Sequence, residues 1–123
     1  MNVGSAIKRV DSLYPNTFSF ETKALWLSEC DSAVKKQGYL HTEFYSEDFD
    51  VKEYLDDQKE LLLPEEFYSI YDDFLAYKIC YSNGEFERAN NFLISYNNTV
   101  SEFVNFIRHS KKPLTKTTLS NVI

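Results

Sequence analysis

The feature that most constrains this chain is a pair of long helical stretches joined at a single Asn83-Gly84 dipeptide. The first stretch starts at Pro64, which suits the first position of a helix, and Glu65 and Glu66 then lie against the positive end of the helix dipole. Because the connection is so short, the two stretches are predicted to form an antiparallel helical hairpin.

The second stretch, from about Glu85 to Arg108, carries an apolar seam at spacings of three and four residues. The seam consists of Phe86, Ala89, Leu93, Tyr96, Val100, Val104 and Ile107. This is the pattern expected of a helix that packs along one side of the first.

The hairpin has more apolar surface than one seam covers. The apolar positions between 67 and 81 span roughly 200° of the first helix, whereas an ordinary surface helix needs about 100°. Either the rest of the chain covers the surplus or a neighbouring subunit does, since aromatic residues dominate interface cores and exposed apolar patches are uncommon on monomers. The residues predicted for such a subunit interface are Tyr68, Leu75, Tyr77, Ile79, Phe92, Phe103 and Phe106.

Two further helices are predicted before the hairpin. The first spans Val3 to Leu13, and the second starts after Ser19, a good N-cap, and stops at the basic run that ends in Gly38. Residues 39–44 alternate in polarity and are predicted to pair with residues 60–62 as a short β-hairpin. The fold class is therefore all-α: a small bundle of about four helices with a long C-terminal hairpin, an acidic central loop and an extended tail.

Charge divides the chain unevenly. Residues 43–73 contain twelve acidic residues and two lysines, whereas the chain from Arg108 onward contains one arginine, three lysines and no acidic residue. A helical domain over residues 1–108 and a flexible basic tail over 109–123 are predicted. An acidic body argues against a nucleic acid gripped by the domain, because phosphate binding requires a basic face.

The chain contains no motif that indicates catalysis. Phosphate-binding loops, metalloprotease motifs and a nucleophile with a nearby base are lacking in the sequence, so no catalytic, metal or cofactor residue is predicted. Cys30 and Cys80 are expected to be small buried hydrophobes, and Lys78 either reaches the edge of its apolar helix face or pairs across an interface. With no membrane span or secretion signal in the sequence, cytosolic synthesis is expected.

Three stretches of the sequence are distinctive when taken together. They are Ala6-Ile7-Lys8-Arg9-Val10-Asp11-Ser12-Leu13-Tyr14-Pro15-Asn16, then Lys23 with Trp26-Leu27-Ser28, and finally Leu61-Leu62-Leu63-Pro64 through Asn83-Gly84-Glu85 to Asn90-Asn91. These stretches resemble a family of tailed-bacteriophage structural proteins, the head–tail connector or adaptor proteins. The resemblance covers about residues 5–37 and 60–113 and leaves out the central loop.

The resemblance implies a helical, non-enzymatic virion protein, assembled in the host cytoplasm and located in the neck. Members of that group form a cyclic ring of about twelve copies below the portal, where it extends the channel for the genomic DNA and meets head-closure or tail proteins. The predicted portal-binding tail residues are Lys111, Lys112, Pro113, Leu114, Lys116, Leu119, Val122 and Ile123. The acidic residues predicted to face the lumen, where they would repel DNA, are Asp48, Asp50, Glu53, Asp56 and Asp57.

Two alternatives remain open. A small helical interaction or regulatory module would use the same aromatic surface to bind one partner as a monomer or dimer. A tail-completion protein is the other, although such proteins are commonly richer in β-structure.

Overall fold

The protein is a four-helix, all-α bundle in a computed structural model that describes residues 1–39 and 49–110. Helix α1 spans Val3–Leu13, α2 spans Phe20–Tyr39, α3 spans Ser69–Ser82 and α4 spans Phe86–Ser110. Two short 3₁₀ helices, Val51–Leu55 and Glu65–Phe67, lie between α2 and α3. The described residues contain no β-strand. The all-α class predicted from the sequence is confirmed.

Side-chain caps set the starts of α1 and α2, as the sequence predicts for α2. The Asn2 carboxamide oxygen accepts the backbone N–H of Ser5 at 2.8 Å, and the Ser19 hydroxyl accepts that of Thr22 at 3.2 Å. Each bond satisfies one of the N–H groups that the first turn of a helix leaves without a partner.

The predicted hairpin is present. Its first helix begins as the 3₁₀ turn Glu65–Phe67 and becomes α-helical at Ser69. At its end, Gly84 has a φ of +78°, and the N–H of Glu85 donates to the carbonyl of Cys80 at 2.9 Å. This is the hydrogen-bonding pattern of a Schellman cap, which places the C′ residue in the left-handed region that glycine favours.

Helices α2 and α3 lie at the centre of the bundle, since each packs against the other three helices, and the contact of α3 with α4 is the most extensive of the helix pairs in the described residues. Half of the residues of α3 are buried, and they include Ala76. The wide apolar arc of this helix therefore has an internal explanation. Part of the surplus predicted for an interface is covered within the same chain.

The seam of α4 is rotated slightly from the predicted one. Phe103 is fully buried in the core and its ring meets that of Phe67 edge-on, with 5.2 Å between centroids. Phe86, which the sequence assigns to the seam, is 61% exposed. The difference arises because Phe86 is the first residue of α4 and lies at the turn, beyond the end of the partner helix.

The predicted β-hairpin takes a different form in the described residues. Glu60 pairs with Asn2 in an isolated antiparallel bridge, and the N–H groups of Val3 and Gly4 donate to the carbonyls of Lys59 and Asp57 at 2.9 Å. The other half of the predicted pairing, residues 40–44, lies outside the described residues. The segment before α3 is thus tied to the start of α1.

Gly38 does not stop α2, contrary to the sequence-based expectation, because the helix continues to Tyr39. The glycine serves close packing instead. A Cβ atom at this position would lie 2.6 Å from Cε2 of Phe103, closer than van der Waals contact allows. The glycine lets the ends of α2 and α4 approach each other.

Gly38→Ala is therefore expected to destabilise the protein by about 1–2 kcal/mol, because overpacking against the buried Phe103 ring outweighs the better helix propensity of alanine. Urea denaturation measures the change. The double variant Gly38→Ala, Phe103→Leu should be destabilised by less than the sum of the two single substitutions, because the smaller side chain leaves room for the new methyl group. Gln37→Ala, at an exposed neighbouring position, is the control. Additive effects of the two substitutions would contradict this packing explanation.

Candidate functional site

A buried carboxylate joins three parts of the chain. Asp31 of α2 is fully buried, and its two oxygens accept hydrogen bonds from the hydroxyls of Tyr54 at 2.6 Å and Tyr71 at 2.5 Å. The backbone N–H of Leu62 donates to the same carboxylate at 3.2 Å. The Tyr71 hydroxyl in turn accepts the N–H of Leu63 at 2.8 Å. We call these five residues the Asp31 centre.

Burial shifts the pKa values of the titratable groups in the Asp31 centre. Desolvation raises the pKa of Asp31, although the hydrogen bonds from Tyr54 and Tyr71 oppose the rise. Burial, together with the nearby carboxylate, also raises the pKa of both tyrosines. Every group in the centre is hydrogen-bonded to another, so the arrangement is suited to holding segments together.

Sequence reasoning did not identify the Asp31 centre, although a signal was present. Asp31 follows Leu27 and precedes Val34 at helical spacing, so an acidic residue lies on the buried face of α2. An acid in that position needs hydrogen-bond donors from elsewhere in the fold. The two tyrosines that supply them are 23 and 40 residues away, which no local pattern reveals.

A second polar cluster surrounds Lys23, which is buried despite its charge. Its ammonium group lies 2.8 and 3.0 Å from the two carboxylate oxygens of Asp11 and 3.2 Å from the side-chain oxygen of Asn16. The cluster fixes the connection between α1 and α2. It also brings together residues from the first two stretches that carry the resemblance.

Three of the predicted interface residues are enclosed by the protein itself. Leu75 and Phe103 are fully buried and Ile79 is almost so. A neighbouring subunit cannot reach these side chains in this conformation, because α1, α2 and the partner helix of the hairpin already cover them. The interface prediction is wrong for these three residues.

The other four predicted interface residues are partly covered. The Tyr68 hydroxyl accepts a hydrogen bond from the amino group of Met1 at 2.6 Å, and Phe92 meets the ring of Tyr14 edge-on at 5.2 Å. Phe106 packs on Phe67 and keeps 37% exposure, and Tyr77 is half-buried. Each retains some surface that a second protein can contact.

A small aromatic surface at the end of the hairpin was only partly anticipated. Tyr77, Tyr81 and Phe86 form a row in which successive ring centroids lie 6.0 and 5.2 Å apart. Tyr81 and Phe86 are 56% and 61% exposed. We call these three residues the tip surface. The i, i+4 spacing of Tyr77 and Tyr81 signals it in the sequence, but the exposure of Phe86 depends on where the turn lies.

Lys78 reaches the edge of its helix within one subunit. Its ammonium group lies 3.1 Å from a carboxylate oxygen of Glu29 and 5.5 Å above the Phe74 ring. Of the two interpretations of this lysine, reaching the edge of its helix face agrees with the structure, and the carboxylate that it meets belongs to α2 of the same chain. Cys30 and Cys80 are free and buried, as expected, and burial raises the pKa of the Cys30 thiol.

Four of the acidic residues predicted for a lumen, Asp50, Glu53, Asp56 and Asp57, are exposed beside the 3₁₀ helix Val51–Leu55. The fifth, Asp48, and the whole predicted portal-binding tail lie outside the described residues. Two of these acids, Asp50 and Glu53, line a cleft of about 440 Å³ between this segment and α2. Phe49, Tyr54 and Leu62 supply apolar parts of its wall.

Within residues 1–39 and 49–110, no group of three or more histidine, cysteine or acidic residues is arranged to hold a metal ion. None of the helices in that part of the chain is long and apolar enough to cross a membrane. Comparisons with protein-family models, curated proteins and solved structures give no match.

Asp31→Asn is expected to lower the free energy of unfolding by about 1–3 kcal/mol at neutral pH, because the new amide nitrogen cannot accept the hydrogen bonds that the carboxylate accepts. Urea denaturation monitored by circular dichroism measures this. The exposed substitution Glu102→Gln is the matched control and should change stability by less than about 0.5 kcal/mol.

The stability difference between wild type and Asp31→Asn should also depend on pH. With its pKa raised above the ordinary value of 3.8, Asp31 retains a proton in the native state over a window in which the unfolded chain has lost it. The contribution of Asp31 to the free energy of unfolding therefore falls as pH rises through that window. The difference between wild type and Asp31→Asn should be largest in acid and shrink with rising pH. A difference that grows with pH would contradict the raised pKa.

Proposed function

We propose that this chain is a structural virion protein, a head–tail connector that forms a ring below the portal of a tailed bacteriophage, extends the DNA channel and links the capsid to the tail. The observation that carries the proposal is the resemblance of the three sequence stretches to that family. In this proposal the chain performs no catalysis and is located in the neck of the virion.

The structure gives the residues of that resemblance coherent physical roles. Asp11 and Asn16 of the first stretch hold Lys23 of the second. In the third stretch, Leu63-Pro64 precedes the hairpin, and Gly84 and Glu85 form its cap. An all-α bundle also agrees with the fold that the resemblance implies, which supports the proposal over a β-rich tail-completion protein.

A ring needs two different faces on each subunit. The tip surface and Phe106 are the exposed aromatic groups available for such contacts, and they lie near opposite ends of α4. The helix has 25 residues, which corresponds to a length of about 37 Å. Separate contact points at its two ends suit a head-to-tail arrangement of neighbouring copies.

The second candidate is a helical interaction module that binds a single partner. Its support is the burial of Leu75, Ile79 and Phe103, which reduces the apolar surface left for a ring. The tip surface would then provide the contact with that partner. The two proposals differ in the mass of the complex with portal, because a ring contains many copies and a module binds one to one.

Substitution of the tip surface tests the ring. Mixed with the portal protein of the same phage, wild type should give a complex with many copies per portal, measured by mass photometry or electron microscopy. Tyr81→Ser with Phe86→Ser should lower the copy number, because it removes apolar contact between neighbours. Leu13→Ser, at a 58% exposed site on α1, is the control. A one-to-one complex with wild type would favour the interaction module.

The acidic surface predicts how the protein behaves with DNA. Because its exposed carboxylates repel phosphates, purified protein is expected to leave duplex DNA unretarded at low salt in an electrophoretic mobility assay. A basic DNA-binding protein under the same conditions provides the positive control. Micromolar affinity would contradict a lumen lined by Asp50, Glu53, Asp56 and Asp57.

A further inference from the structure

The segment from Phe49 to Leu62 has an unusual surface in which exposed aliphatic groups lie among acids. Val51, Leu55 and Leu62 are all substantially exposed, and Leu55 reaches 47%. The same segment contains five acidic residues and two lysines. Exposed aliphatic groups together with a net negative charge suit a ligand that is both apolar and basic.

The cleft of about 440 Å³ beside this segment gives the surface a concave part. The 3₁₀ helix that carries Tyr54 forms one side, and Lys35 near the end of α2 lies on the other. Lys59 is paired with Glu53 at 2.7 Å and lies over the Tyr54 ring, and Glu60 is paired with the amino group of Met1 at 3.3 Å. The acids of this segment that remain for a basic ligand are Asp50, Asp56 and Asp57. The cleft and the exposed aliphatic groups together form what we call the 49–62 surface.

Charge distinguishes between the two parts of the chain that lie outside the described residues. Residues 40–48 contain Glu43, Glu47 and Asp48 and no lysine or arginine, so charge repulsion disfavours their contact with an acidic surface. Residues 111–123 contain three lysines and no acid. Their aliphatic residues are Leu114, Leu119, Val122 and Ile123. The C-terminal segment therefore matches the 49–62 surface in both charge and hydrophobicity.

The C-terminal segment also starts close enough to reach. Phe103 of α4 lies against Gly38 of α2, one helical turn beyond Lys35 at the edge of the cleft. Helix α4 ends at Ser110, two turns after Phe103. Thirteen extended residues span up to about 45 Å, which exceeds the width of a domain of this size.

We propose that residues 111–123 dock on the 49–62 surface of their own subunit. The three lysines approach the exposed acids, and the aliphatic side chains cover Val51, Leu55 and Leu62. Tethering gives the segment an effective concentration in the millimolar range, so weak contacts suffice. The docked form keeps the tail away from other partners, including a portal, until one competes for it. Docking does not depend on the proposed function.

Hydrogen exchange followed by mass spectrometry tests docking on the full chain without any portal present. At low salt, peptides from 49–62 and 111–123 should both exchange at least about threefold more slowly than in the charge-reversal variant Lys111→Glu, Lys112→Glu, Lys116→Glu. Leu55→Ser should release the tail in the same way. The matched control Leu13→Ser should not release the tail. In wild type, 0.5 M salt should weaken the protection, because it screens the charges.

Two results would overturn the proposal. Exchange of 111–123 at the rate of a free peptide in wild type would show that the tail does not dock. Protection that increases with protein concentration would place the tail on a second copy instead. Failure of a ring to form with portal would bear only on the proposed function, because the exchange experiment contains no portal.

Discussion

The fold depends on the hydrogen bonds that Asp31 makes in the interior. A buried carboxylate is costly unless donors surround it, and here two tyrosine hydroxyls and one backbone N–H supply them. Those donors come from the segment before α3 and from α3 itself. The cost of burying Asp31 thus enforces one arrangement of the 51–63 segment, which in turn presents the acidic surface and its cleft to solvent.

The central position of α3 follows from its composition. A helix that is apolar on most sides must be surrounded, and α1, α2 and α4 surround this one. That arrangement buries Leu75, Ile79 and Phe103, three of the seven residues that suggested an interface in the sequence. Exposed aromatic groups remain at the hairpin tip and at Phe106, and the proposed ring would use these small contacts near the two ends of α4.

Two segments of the chain, residues 49–62 and 111–123, carry net charges of opposite sign. Acidic residues gather on the 49–62 surface, and lysines gather in the C-terminal segment. The same acids that would keep DNA from adhering inside a ring also suit the tail of the free subunit. Assembly would then change the partner of the tail from the 49–62 surface to the portal, so that one segment serves two successive contacts.

The sequence by itself determined the helices, because their signals are local. Asn83-Gly84 requires a turn with a left-handed residue, Ser19 caps α2, and the 3.6-residue period marks α1 and α4. The two buried cysteines and the exposed acids were also predictable from composition and position. Only the tertiary structure decided what covers each apolar face, since a period gives the direction of a face and no information about its partner.

For that reason Phe103, Leu75 and Ile79 appeared available to a neighbour and are in fact internal. Gly38 appeared to end a helix and instead makes room for Phe103. The Asp31 centre and the Lys23 cluster join residues far apart in the chain, so neither follows from local spacing. Long-range packing and the satisfaction of buried charge decided these features, and both exist only once the helices have come together.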